Sequence, residues 1–141
     1  MSDIVSHYEL RELSYKDQVR FALFCAYQLK SRWINDYRCT YAIHLIELWL
    51  NDKITQKEII GVDDIISTIS YTPNSFAHQV IAYTLRTICF PDYSISYVQY
   101  AIMYTLQHGG DTDFAYEQRK YYNELRYIDD IFEKIVLEGN V

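Results

Sequence analysis

The chain has 141 residues and a formal net charge of −6, with half of its residues apolar and 23% charged. That length lets one domain bury a core without disulfide or metal staples, and the balance is too apolar for disorder. The acidic surplus argues against nucleic acid or an anionic membrane as partner, since either calls for a basic patch, and leaves a basic protein partner open.

Cys25, Cys39 and Cys89 form an odd set without CxxC spacing, expected to be buried free thiols in a reducing compartment. The first residues, MSDIVSHYEL, carry no signal-peptide pattern, and no apolar run nears the ~20 residues of a membrane span. The expectation is a cytoplasmic protein forming a single all-helical domain over 1–141, with a lead-in over 1–14 and a core over 15–138.

Residues Ile4 to Leu13 allow a short helix in the lead-in. Ser14-Tyr-Lys-Asp17 has the form of a capping box and opens a helix to about Trp33, with Val19, Phe21, Ala22, Cys25, Ala26 and Leu29 as its buried stripe. After a short link, Asp36 to Ile54 reads as the central helix. Asp36 is its N-cap, Ala42, Leu45, Ile46, Trp49 and Leu50 share a face, and Asn51-Asp-Lys53 stops the run. Trp49 is expected to be buried. So short a link predicts that these two helices pack as an antiparallel pair.

Thr55-Gln-Lys-Glu58 starts a third helix to about Ile69, with Ile59, Ile60, Val62, Ile65, Ile66 and Ile69 as its apolar set. These β-branched residues also allow a strand over part of it, but Asp63-Asp64 and the Thr55 cap favour helix. Ser70 to Ser75 is a loop, because the residue before Pro73 is pushed out of helical geometry. A fourth helix runs from Ser75 to Phe90 and a fifth from Ser94 to Gln107, the latter ended by Gly109-Gly110. Ile81-Ala-Tyr-Thr-Leu85 returns 21 residues later as Ile102-Met-Tyr-Thr-Leu106. The last helix starts at Asp111-Thr-Asp113 and reaches about Leu137, with Ala115, Tyr122, Leu125, Ile128, Ile131, Phe132 and Ile135 as its stripe. The predicted fold is therefore all-α, five to six main helices packed as consecutive antiparallel hairpins in a repeat-like array.

Chemistry is sparse. The sequence holds no GxSxG, P-loop, GxGxxG or HExxH, so no catalytic residues, no cofactor and no metal site are expected. His44 and Glu47 occur in the order opposite to the Glu-x-x-His of carboxylate-bridged sites, and only once. His78 and His108 lie on helices expected to be neighbours, so the two rings have a route to each other. Asp63-Asp64 and Asp129-Asp130 are adjacent pairs, which diverge by about 100° on a helix and read as solvated surface. Arg38, in the first turn of the central helix, opposes the helix dipole and is expected to pair with Asp36 or Glu47. Fifteen tyrosines fit either a codon bias or a surface rich in aromatic contacts.

Three segments together resemble a family of small all-helical immunity proteins from bacterial polymorphic-toxin systems. Arg20-Phe-Ala-Leu-Phe-Cys-Ala26 is similar to its first helix, and Asp36-Tyr-Arg38, Ala42-Ile43 and Glu47-Leu-Trp-Leu50 to its most recognisable one. The helices around Ala77 to Leu106, with Glu117-Gln118 and Asn123-Glu-Leu125, resemble its C-terminal half. The resemblance implies a non-enzymatic protein that neutralises a cognate toxin domain by binding it. Two other readings stand beside it: a helical adaptor or phage or mobile-element regulator that blocks a host protein, and an enzyme whose site is assembled from scattered residues such as Arg38, Glu47, His78 and His108. For a binding module, the last helix supplies the candidate partner face, with Tyr116, Glu117, Tyr121, Asp129, Asp130 and Glu133 combining aromatic anchors with acidic groups that steer encounter. A Tyr-bearing surface of this kind also leaves homodimerisation open.

Overall fold

The computed structural model describes residues 4–61, 76–108 and 113–139. They are helical with no strand among them: α1 (His7–Arg11), α2 (Tyr15–Tyr27), α3 (Lys30–Trp33), α4 (Tyr37–Leu50), α5 (56–61), α6 (Phe76–Cys89), a 3-10 turn (Pro91–Tyr93), α7 (Ser94–Gln107) and α8 (Phe114–Gly139). The expected Val62, Ile65, Ile66, Ile69, the Asp63-Asp64 pair, the loop to Ser75, and Gly109 to Asp111 lie outside the described residues.

The centre of the fold is α2, α6 and α7. The closest pairing is between α6 and α7, two helices joined by the short turn at Pro91, and α2 lies against both. Its entire predicted stripe is buried, from Val19 through Leu29. Close approach is possible because the facing positions are small: Ala22 and Ala26 on α2, Ala77, Ala82 and Thr84 on α6, Ala101 and Thr105 on α7. Thr84 and Thr105 satisfy their hydroxyls on carbonyls one turn back, Val80 O at 2.9 Å and Ala101 O at 2.8 Å, so both enter the core without an orphaned donor.

The helix expected to run on to Trp33 instead breaks after Tyr27. Leu29 leaves helical geometry at φ −109°, and the Trp33 indole N–H donates back to Ala26 O at 2.7 Å. Trp33 is thereby the buried tryptophan. Trp49 is half-buried at the edge of the core, edge-on to Tyr15 and beneath the Lys16 ammonium. The central helix of the sequence reading is likewise peripheral: α4 meets α6 more extensively than α2. Its ends are as read. Asp36 caps it, and Asp52 at φ 59° closes it, with Lys53 N–H on Leu48 O and Asp52 N–H on Trp49 O.

Side chains from other helices finish α6. The Tyr15 hydroxyl donates to Thr87 O at 2.6 Å, and Gln56 Nε2 to Ile88 O at 2.9 Å, filling carbonyls that a helix end leaves unpaired. A buried network joins the lead-in to the core. Gln18 donates to Leu10 O and Leu13 O while accepting from the Ser94 hydroxyl. The lead-in helix carries a complete capping box, Ser6 with Glu9; at α2 the Ser14 hydroxyl accepts from Asp17 N–H while the Asp17 carboxylate turns to Arg20.

Candidate protein-binding surface

Helix α8 has 26 residues and is about 39 Å long, against about 21 Å for the 14-residue α6 and α7. It therefore outruns the core it packs on. Asp113 caps its start, accepting from Tyr116 N–H and Glu117 N–H. The first half is fastened to the lead-in. Gln118 is fully buried and accepts from Val5 N–H at 3.0 Å. Arg119 forms a two-pronged ion pair with Glu9 at 2.5 and 2.9 Å, the Tyr122 hydroxyl donates to Glu9 O, and Arg126 donates to Glu12 O. The Arg119 guanidinium holds the Glu9 carboxyl down at about 2.

Beyond Leu125 the same apolar stripe continues without a core beneath it. Leu125 is 7% exposed, whereas Ile128 and Ile135 are each 62% exposed and Leu137 is 72%. Ile131 and Val136 are exposed beside them. The residues meant to be buried are there, at the right spacing, and they are exposed among the described residues. Acidic Asp130 and Glu133 flank this stretch, both exposed.

The six candidate residues divide. Tyr116 is exposed and shares a side of the helix with Tyr127, three turns on, and with Asp130. Glu117 is half-buried. Tyr121 points inward, its ring stacked on Phe24 at 4.5 Å and tilted against Phe21, and burial pushes its hydroxyl pKa up. Tyr122 is buried as expected, so the exposed tyrosines of α8 are Tyr116 and Tyr127.

Asp129 is half-buried and faces a groove of about 1130 Å³ between α2 and α8, lined among others by Lys16, Asp17, Arg20, Tyr121, Glu124 and Ile128. Burial raises the Asp129 carboxyl pKa, and its hydrogen bond and charge repulsion with Asp17 raise it further. Asp17 also accepts from Arg20 at 2.8 Å. Two carboxylates in contact can hold one proton between them, and the other carboxylates of the groove lining are Asp52 and Glu124, with no histidine or cysteine among the lining residues.

A second aromatic surface was not anticipated. Along the outer seam of α6 and α7, Tyr83 meets Tyr97, Tyr100 and Tyr104 within 5.4–6.2 Å, and Phe90 extends the row. Tyr100, Met103, Phe90 and Tyr93 are exposed near this row. The 21-residue offset held the signal, because it puts Tyr83 and Tyr104 at equivalent places on facing helices.

The scattered polar residues do not converge. His44 is exposed, and Glu47 accepts a hydrogen bond from the Tyr27 hydroxyl. His108 stacks flat on Phe76, while His78 reaches Asp36 Oδ2 at 3.1 Å, so the two imidazoles do not meet. Arg38 pairs with Asp36 through Nε and Nη2, both at 3.1 Å, as its place in the first turn requires. No helix among the described residues is long and apolar enough to cross a membrane. No protein-family model, curated protein or solved structure matches this chain.

Proposed function

We propose that this chain is a non-enzymatic protein-binding module, an immunity-type inhibitor that neutralises a cognate bacterial toxin domain by direct binding. One observation carries the reading: the distal half of α8 keeps its apolar stripe while losing its core, which leaves Ile128, Ile131, Ile135, Val136 and Leu137 in water. Contiguous exposed apolar surface of this kind marks an interaction site, since leaving it hydrated is costly. Tyr127 adds an aromatic anchor, and Asp130 and Glu133 supply an acidic rim that speeds encounter with a basic partner. The immunity role itself rests on the resemblance of the α2 and α4 segments.

The test is co-expression with the toxin domain encoded beside it, followed by co-purification. Replacing Tyr127 by Ala together with Ile128 and Ile135 by Ser is expected to abolish the complex and the protection, with helical content unchanged. Raising salt is expected to slow association more than it speeds dissociation. Protection that survives this triple variant but is lost on replacing Tyr100 and Met103 moves the interface to the α6–α7 seam. A complex with a host protein and none with the neighbouring toxin favours the adaptor reading.

A further inference from the structure

Where the start of α4 meets α6, Asp36, Cys39 and His78 come together, with one ligand atom from each lying within 4.8 Å of the other two. Asp36 and Cys39 are one turn apart on α4, and His78 arrives from the first turn of α6, 42 positions along the chain. A carboxylate, a thiol and an imidazole are the donor types of zinc sites. None of the three is on open surface: the Asp36 and His78 side chains are 20% and 17% exposed, and Cys39 is buried.

The imidazole is aimed into the cluster by one nitrogen: its Nε2 lies 3.1 Å from Asp36 Oδ2, whereas Nδ1, on the other side of the ring, has no hydrogen-bond partner among the described residues. An ion held by Nε2 replaces that contact to Asp36, and the neutral tautomer then carries its proton on Nδ1. Asp36 is shared: Arg38 holds Oδ1 through its backbone N–H and Nε and Oδ2 through Nη2, so an ion at Oδ2 competes with Arg38 and with His78 Nε2.

We propose that Asp36, Cys39 and His78 bind a single zinc-class divalent ion that clips the first turn of α4 to α6. Binding releases the Cys39 thiol proton to solvent, and the thiolate, the imidazole and the carboxylate then face the ion, with a water completing the tetrahedron. Metal affinity therefore rises with pH, because the ion competes with the thiol proton. No reaction is assigned to the site: the clip is structural, and it is independent of the partner face on α8.

Cobalt(II) titrated into tag-free protein reads the site directly. The expected result is a near-ultraviolet thiolate-to-cobalt absorption saturating at one equivalent, displaced by zinc, together with a higher melting temperature in zinc. Cys39→Ser is expected to abolish the band, and Cys89→Ser to leave it. His78→Gln, at a partly exposed position, is expected to weaken zinc binding by at least about tenfold while the far-ultraviolet spectrum stays helical. That variant keeps the test decisive if Cys39→Ser does not fold. Absence of the band in wild-type protein, or a band that survives His78→Gln at unchanged cobalt affinity, overturns the proposal.

Discussion

The two halves of α8 are built from the same residue types at the same spacing and meet opposite fates. In the first half Gln118, Tyr122 and Leu125 are buried, and Arg119 and Arg126 reach across to the lead-in. In the second half Ile128, Ile131 and Ile135 continue the stripe into solvent. Amphipathic periodicity therefore specifies that a face wants covering. It does not specify what covers it. Here the lead-in and α2 end before the helix does.

The largest separation of the halves is expected from truncating one buried and one exposed residue. Tyr122→Ala should cost about 3–5 kcal/mol in urea unfolding, since it removes a packed ring and its hydrogen bond to Glu9 O. Ile135→Ser should change stability by less than about 0.5 kcal/mol, as for surface positions. Equal losses would mean that the distal turns are covered within the chain and would end the contrast.

A smaller effect is expected at the fastening. Arg119→Ala should cost about 1–2 kcal/mol, the worth of a charge-assisted pair discounted for the solvent that reaches both partners. The same pair gives an acid signature. The Glu9 carboxyl is lowered from 4.5 to about 2 in the folded chain, so its stabilisation is whole above 4.5 and lost as pH falls toward 2. The stability difference between wild type and Glu9→Gln should shrink across that window and be flat above it. A difference that persists unchanged at pH 2 would assign the loss to the capping role of Glu9 at Ser6 rather than to its charge.

The smallest effect concerns the groove under the junction of the halves. The Asp129 pKa is raised in the fold, so its charge opposes stability above the folded value and ceases to do so below the ordinary carboxylate range. Asp129→Asn should therefore stabilise the protein slightly at neutral pH, with the gain vanishing on acidification. Destabilisation at neutral pH would show that the Asp129 charge is used favourably by a neighbour such as Arg126.

Much of the architecture was readable locally. The predicted stripe of α2 is buried residue by residue, Asp36 caps α4, and Asn51 to Lys53 end it, because caps and periodicity depend on neighbours within one turn. The break at Leu29 was not readable. No glycine or proline marks it, and it is stabilised by the Trp33 indole, four positions on, which takes the Ala26 carbonyl. Trp49, expected to be enclosed, is only half-buried, while Trp33 is enclosed, because α3 packs on α6 and the Trp33 indole turns back to Ala26. Tyr121 illustrates the limit within one helix, being chosen for a partner and then taken by Phe24.

The sequence by itself determined the all-helical class, the helix ends that carry their own caps, and which side of α2 is apolar, since these follow from short-range hydrogen bonding and a 3.6-residue period. Tertiary structure alone decided that α2, α6 and α7 form the centre, that the stripe of α8 runs out of core after Leu125, and that His78 finds Asp36 and Cys39 rather than His108. Those outcomes depend on helix length relative to neighbours and on contacts between residues distant in the chain. A one-dimensional pattern contains no such distances.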